Sequence, residues 1–223
     1  MRRPVQPLAV RVTHWVNGVL LVVMAGSGLR ILKAFPSLGE KGRPYAWYPF
    51  HGDPPPEALM IGGWLAGARH WHFAFAWLFV LNAIVYVTYL FASGAWRERL
   101  FSPRRDARHA WLTLLHDLRL RRGPLPPHGL YNGMQRLSYT AVLALGALSV
   151  LSGLAIYKPV QLRWLTALHG GYDAARAVHL LVLVALAAFT VLHVVQVALH
   201  PRTFVDMTLG GSRAPPSRPE GPA

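Results

Sequence analysis

Four long runs of apolar residues dominate the chain, and polar or charged stretches separate them. Each run reaches the ~20 residues that an α-helix needs to cross the hydrocarbon core of a bilayer. The first run follows a basic N-terminus, but it is too long for a signal peptide and lacks a small-x-small cleavage site. The pattern predicts an all-α integral membrane protein, a four-helix transmembrane bundle. The predicted helices span about residues 13–32, 71–91, 137–157 and 178–199.

Composition supports a membrane protein and excludes several kinds of site. Of the 223 residues, 53% are hydrophobic and only 14% are charged, whereas soluble domains carry about 25% charged residues. The chain has no cysteine, which excludes disulfides, thiolate-bound zinc, iron–sulfur clusters and the covalent attachment of c-type haem. In a soluble protein, a formal charge of +14 would suggest binding to nucleic acid. In a membrane protein, the positions of the charged residues indicate instead which segments face the cytoplasm.

The basic residues are distributed unequally between the two sides of the predicted bundle. Fourteen lie in the N-terminus, the loop 92–132 and the tail beyond Leu199, against eight in the other two loops. The positive-inside rule therefore places both termini and this loop in the cytoplasm. Residues 1–211 are predicted to form one membrane domain, and residues 212–223 a disordered cytoplasmic tail rich in Gly, Pro, Ser and Arg.

Two histidines of the fourth helix carry the prediction of a cofactor, because ionisable residues inside membrane spans are costly and mark functional sites. His179 and His193 share one helix face and lie about 21 Å apart along its axis, one near each membrane surface. The direction of each helix pairs His14 with His193 and His72 with His179. Each pair offers two axial imidazoles to haem iron, whereas structural zinc needs four converging ligands. Two b-type haems are therefore predicted.

Arginines precede three of these four histidines by three residues, one turn nearer the membrane surface. This Arg-x-x-His pattern puts both side chains on one helix face, where a guanidinium can pair with a haem propionate. Arginines at helix starts also serve as ordinary topology anchors. His70 competes with its neighbour His72 as a ligand, and the Arg-x-x-His register favours His72. The three arginines are Arg11, Arg69 and Arg176.

Polar residues at the predicted cytoplasmic ends of helices 1 and 3 are the candidates for a quinone site, since a quinone headgroup and its protons need polar groups near one haem edge. Polar residues at a membrane boundary are also ordinary interfacial anchors. The candidates are Asn17, Asn132, Gln135, Arg136 and Tyr139.

One short motif occurs twice. Ser27-Gly28-Leu29 near the end of helix 1 recurs as Ser152-Gly153-Leu154 near the end of helix 3. Small residues there would admit a flat cofactor, and ordinary close packing of helices explains them equally well. Asn82 is the only strongly polar residue deep in helix 2, where packing also accounts for it.

Further motifs mark the helix ends. They are Arg11-x-x-His14-Trp15-x-Asn17, Arg69-x-x-His72-Phe73 with Ala76-Trp77, Tyr131-Asn132-x-x-Gln135 with Tyr139, Arg176-x-x-His179 with His193, and His200-Pro201 with Met207. With them the chain resembles, to about Gly211, the bacterial membrane cytochromes b of the cytochrome b561 superfamily. That group includes the cytochrome b subunits of thiosulfate reductases, formate dehydrogenases and nickel–iron hydrogenases. The resemblance implies a dihaem four-helix bundle in the bacterial inner membrane.

The same resemblance implies a respiratory function. Electrons would pass between the quinone pool and a partner on the outer side, often a molybdopterin oxidoreductase or a soluble cytochrome. The chain would then be an electron-transfer subunit, not the catalytic one, and its long aromatic loop between helices 1 and 2 would dock the partner. The alternative is a stand-alone dihaem oxidoreductase of the superoxide oxidase or ferric reductase type. A transporter is disfavoured because no charged residue lies at mid-bilayer.

Overall fold

The computed structural model describes residues 6–125 and 131–211, which form eight helices and one short β-hairpin. A single 3-10 turn, Glu57–Leu59, precedes the second helix. The predicted tail, residues 212–223, lies outside the described residues. In chain order the elements are α1 (Leu8–Ala34), β1 (Gly39–Glu40), β2 (Arg43–Pro44), α2 (Leu65–Ala92), α3 (Trp96–Arg99), α4 (Pro103–Asp117), α5 (Gly133–Tyr157), α6 (Arg163–Leu168), α7 (Tyr172–Leu199) and α8 (Pro201–Leu209).

Helices α1, α2, α5 and α7 are each long and apolar enough to cross a membrane. Many apolar side chains on the outer faces of these helices are more than half exposed, which suits contact with lipid better than contact with water. The predicted all-α fold with a four-helix membrane bundle is therefore confirmed. The exposed side chains include Trp77, Leu81, Ile84, Val184 and Val191.

The four long helices begin before the apolar runs that predicted them. α1 begins at Leu8 and α7 at Tyr172, because first turns that contain a charged residue, Arg11 in α1 and Asp173 in α7, are compatible with helix at the membrane surface although they lie outside an apolar window. α5 begins after Asn132, whose side chain accepts a hydrogen bond from the Gln135 backbone (2.9 Å). Gln135 Oε1 accepts one from the Asn132 backbone (3.0 Å), which completes a capping box.

The long helices pack as two hairpins, α1 against α2 and α5 against α7. Among the described residues, the extensive contacts between membrane-spanning helices lie within these hairpins. The two hairpins therefore face each other chiefly through side chains, and that interface contains the histidines.

The segment between α1 and α2 folds back over one end of the bundle. β1 and β2 pair antiparallel within it, and Leu38 and Tyr48 are buried against Ala177 at the start of α7. Further along, the Ile61 N–H donates to the Gly26 carbonyl (3.1 Å). A Cβ at Gly26 would lie 2.7 Å from Ile61 Cγ1, so any larger residue would displace Ile61 where this segment crosses α1. The loop is thus anchored to both hairpins.

The stretch 92–132, interpreted from sequence as a loop, contains α3 and α4. α4 packs on the start of α5, where a Cβ at Gly133 would lie 2.6 Å from the Ala110 nitrogen. Hydropathy did not find α4 because its 15 residues include five charged ones and form no apolar run of bilayer length. The signal that predicts it is Ser102 as N-cap residue followed by Pro103 at the first helical position.

Candidate functional site

The first histidine pair lies at the end of the bundle that carries the start of α1. The ring centres of His14 in α1 and His193 in α7 are 5.9 Å apart, and their planes make an angle of 67°. Phe189, one turn earlier in α7, stacks on His193 at 5.8 Å and 10°. Trp15 meets His14 edge-on at 5.4 Å. Aromatic packing therefore orients both rings.

The second pair lies at the opposite end of the bundle. The ring centres of His72 in α2 and His179 in α7 are 6.2 Å apart, with 70° between their planes. Both residues are partly buried, whereas His70 is exposed. Residues two apart in a helix project about 200° from each other, so His72 faces His179 while His70 points away.

Each ring of the His72–His179 pair contacts a serine on the other helix of its own hairpin. Ser27 Oγ lies 3.1 Å from His72 Nδ1, and Ser152 Oγ lies 2.9 Å from His179 Nδ1. A Cβ on the glycine that follows either serine would lie 3.3 Å from the Cε1 atom of that ring. The Ser-Gly sequence therefore provides both a polar contact and the space for the imidazole.

The geometry of both pairs fits a haem iron held by two imidazoles. Two imidazoles bound on opposite sides of one first-row metal ion by bonds of about 2 Å have ring centres about 6 Å apart. The observed distances are 5.9 and 6.2 Å. Among the described residues no three His, Cys, Asp or Glu side chains converge on one point, as tetrahedral zinc would need. The sparse backbone packing between the hairpins suits a flat ligand.

The three arginines of the Arg-x-x-His pattern contact other protein groups. Two of them donate hydrogen bonds to backbone carbonyls, and the third lies over an aromatic ring, so they also hold loops and helix ends together. Arg11 donates to the Thr208 carbonyl in α8, Arg69 lies 5.8 Å from the Phe73 ring centre, and Arg176 donates to the carbonyls of Phe35 (3.0 Å) and Ser37 (3.1 Å).

Three of the five residues predicted for a quinone site bond within or between helices. Asn132 and Gln135 bond each other in the capping box of α5. Asn17 Oδ1 accepts a hydrogen bond from the buried Asn82 side chain (2.7 Å), which also donates to the Thr13 carbonyl (3.0 Å). Asn82, interpreted from sequence as packing, therefore links α2 to α1.

The other two belong to a polar group between α3, α4 and α5. Arg136 lies 3.9 Å from the carboxylate of Asp106, which is buried, and the Tyr139 ring meets Tyr131 edge-on at 5.1 Å. The adjacent Arg105 guanidinium, bonded at 2.9 Å, holds the pKa of Asp106 below its usual value. This end of the bundle is therefore charged and polar just outside the apolar spans.

Sequence reasoning named all four facing histidines, but it interpreted the two serines only as small residues that admit a flat cofactor or pack helices closely. The signal was present as the repeated Ser-Gly-Leu motif. Because small residues in membrane helices serve packing as often as binding, only the positions of His72 and His179 reveal what Ser27 and Ser152 contact.

The chain is similar to known membrane proteins over nearly its whole length. The family model for prokaryotic cytochrome b561 matches residues 5–210. A protein of Azospira oryzae named as a putative protein-methionine-sulfoxide reductase subunit, YedZ1, is 38% identical over 208 residues, which cover 92% of this chain and 96% of that protein. No solved structure matches the chain. The chain therefore belongs to the prokaryotic cytochrome b561 family and is a bacterial membrane electron-transfer subunit of a family that binds b-type haem.

Proposed function

We propose that the chain binds two b haems and transfers electrons across the bacterial inner membrane between quinone and a periplasmic oxidoreductase. The observation that carries this proposal is the presence of two facing imidazole pairs, at 5.9 and 6.2 Å, near opposite ends of the bundle. Haem bound between each pair would supply one-electron redox chemistry. The protein contributes the ligands, an apolar surrounding and the spacing between the two sites.

The orientation follows from charge. The excess of basic residues in the N-terminus, the loop 92–132 and the tail favours a cytoplasmic location for these segments. His14 and His193 then lie near the cytoplasm, and His72 and His179 near the periplasm. The His179–His193 separation of about 21 Å along α7 spans most of the hydrocarbon core.

Quinone exchange is assigned to the cytoplasmic end. Each quinol that is oxidised releases two electrons and two protons, so the site needs polar groups near one haem edge. Arg136 and Tyr139, which lie beside Asp106 and Tyr131 just outside the apolar spans, are the candidates for this role. Asn17 lies on α1, where it accepts a hydrogen bond from Asn82, while Asn132 and Gln135 contribute by fixing the start of α5.

The partner is proposed to dock on the periplasmic end. The segment between α1 and α2 exposes Trp47 and Phe50 there, and α6 exposes Trp164 and Leu168. Aromatic side chains of this kind are enriched at protein interfaces. The relative YedZ1 is named as a reductase subunit, which favours electron flow from quinol towards a periplasmic reductase whose catalytic subunit is a separate chain.

The first test is the haem content of protein purified from a host with ample haem. Reduced-minus-oxidised spectra with pyridine-haemochrome quantitation should give two b haems per chain. His14→Ala and His72→Ala should each leave one, because each removes one ligand of a different pair. His70→Ala is the matched control and should retain two. Protein without haem, or loss of haem from His70→Ala but not from His72→Ala, would contradict the assignment.

The second test addresses the electron donor and acceptor. In proteoliposomes, a quinol should reduce the bound haem, and an acceptor protein on the opposite side should reoxidise it. The competing function, a stand-alone oxidoreductase, predicts instead that the chain alone turns over superoxide or a ferric chelate at the periplasmic face. Quinol-independent turnover of that kind would replace the subunit proposal.

A further inference from the structure

The environment of the His72–His179 pair is built twice, once in each hairpin. In α1–α2, Ser27 of the first helix contacts His72 of the second at 3.1 Å. In α5–α7, Ser152 of the first helix contacts His179 of the second at 2.9 Å. Both serines are fully buried. A polar contact repeated with the same atoms in two hairpins needs an explanation beyond close packing.

The direction of these hydrogen bonds follows from counting protons. A serine hydroxyl has one proton to donate. Ser27 Oγ lies 2.6 Å from the Val23 carbonyl and Ser152 Oγ lies 2.7 Å from the Leu148 carbonyl, and a carbonyl can only accept. The hydroxyl proton is therefore used within the helix. In the contact with each histidine the serine oxygen accepts, and the imidazole Nδ1–H donates.

The serine oxygen that accepts at Nδ1 fixes the tautomer of each ring, because the proton must then be on this nitrogen. Nε2 of each ring then has a free lone pair, which is the form in which a neutral imidazole binds a metal.

The His14–His193 pair differs. Within residues 6–125 and 131–211 no hydroxyl group is hydrogen-bonded to either of these rings, and their neighbours are Trp15 and Phe189. A hydrogen bond from the second nitrogen of a ligating histidine fixes the tautomer and raises the basicity of the ligand. The two pairs are therefore unequal donors.

We infer that Ser27 and Ser152 are positioning residues that make His72 and His179 stronger ligands and so lower the reduction potential of the haem they share. This inference rests on the proposed dihaem function. A more basic axial ligand stabilises ferric over ferrous iron, because the oxidised metal carries the greater charge. Both serines act on one haem, since His72 and His179 face each other.

The expected size follows from ordinary hydrogen-bond energetics. Loss of one such bond should change the ferric-to-ferrous equilibrium about threefold to tenfold. For a one-electron couple, tenfold corresponds to 59 mV.

The experiment is a potentiometric titration of the α-band of purified holoprotein, which should resolve two components in the wild type. Ser27→Ala and Ser152→Ala should each raise the potential of the same component, and the double variant should raise it about twice as far. The ferric low-spin resonance of that haem should change with it. Ser149→Ala is the matched control. Ser149 lies one turn before Ser152 in α5, and its hydroxyl donates to the Gly146 carbonyl and not to a histidine.

Several outcomes would overturn the inference. If the double variant binds two haems and neither potential changes, the role of the serines is refuted and the dihaem proposal stands. A shift of one component by Ser27→Ala and of the other by Ser152→Ala would also refute it, since the serines would then serve different haems. An equal shift in Ser149→Ala would show a general helix effect. Wild-type protein without haem would overturn the proposed function and this inference together.

Discussion

The space beside His72 is set by a glycine, and its size gives a prediction for Gly28→Ala. A Cβ at Gly28 would lie 3.3 Å from His72 Cε1 and 3.6 Å from Nδ1. The first distance is tighter than ordinary van der Waals contact, so the ring must shift by a few tenths of an ångström. The shift displaces a proposed metal ligand that also bonds Ser27.

Gly18 in the same helix is the matched control. A Cβ at Gly18 would meet nothing within 4 Å, so Gly18→Ala should only gain helix propensity, about 0.8–1 kcal/mol relative to glycine. Gly28→Ala gains the same helix propensity, but the displacement of the His72 ring offsets the resulting gain in stability. We therefore expect Gly18→Ala to be more stable than wild type with unchanged spectra. Gly28→Ala should show little or no gain, with an altered absorption band and ferric resonance of one haem.

The assay is thermal unfolding in detergent together with low-temperature absorption and electron paramagnetic resonance of the oxidised holoprotein. Gly153→Ala should affect the same haem as Gly28→Ala, because its Cβ would lie 3.3 Å from His179 Cε1. If Gly28→Ala matched Gly18→Ala in both stability and spectra, the close approach of His72 to α1 would be refuted.

Three other predictions concern the framework around the site. Asn82→Leu removes two hydrogen bonds to α1, each worth about 0.6 kcal/mol within a membrane, so unfolding in detergent should cost about 1 kcal/mol less. Because Arg105 lowers the pKa of Asp106, this carboxylate stabilises the fold above its usual pKa, and the stabilisation is lost as pH falls through the lowered value. Asp106→Asn should therefore lower the melting temperature at neutral pH, and the melting temperature of the variant should fall less steeply than that of the wild type as the pH is lowered through the usual carboxyl range and below it. Arg176→Gln should speed amide exchange in the segment after Phe35, as read by mass spectrometry, and unchanged exchange there would contradict the anchoring role.

The membrane spans could be predicted from sequence because hydropathy acts locally. An apolar run of bilayer length has few alternatives to a helix, since backbone polar groups in lipid must bond within their own segment. α4 could not be found in this way. Its stability depends on packing against Gly133 of α5, and that contact is not encoded in its own apolar content.

The histidine pairing was predictable for a similar reason. The direction of each helix and the depth of each histidine limit which imidazoles can meet, and the facing pairs lie at 5.9 and 6.2 Å. The contacts of the candidate quinone residues were not predictable. Asn132 and Gln135 bond each other at a helix start, and a polar residue at a membrane boundary has the same sequence appearance whether it caps a helix or binds a ligand.

The two histidine pairs are related in different ways to the repeated design of the two hairpins, and this difference has a physical consequence. Ser27 and Ser152 hold corresponding positions in the two hairpins, as do His72 and His179, so their pair repeats one local design. His14 has no counterpart in α5, and its pair joins the first helix of one hairpin to the last helix of the other. One pair is therefore oriented by hydrogen bonds at Nδ1 and the other by aromatic rings. Because ligand basicity responds to the first kind of contact and hardly to the second, we expect a bundle of this construction to hold two haems of unequal potential.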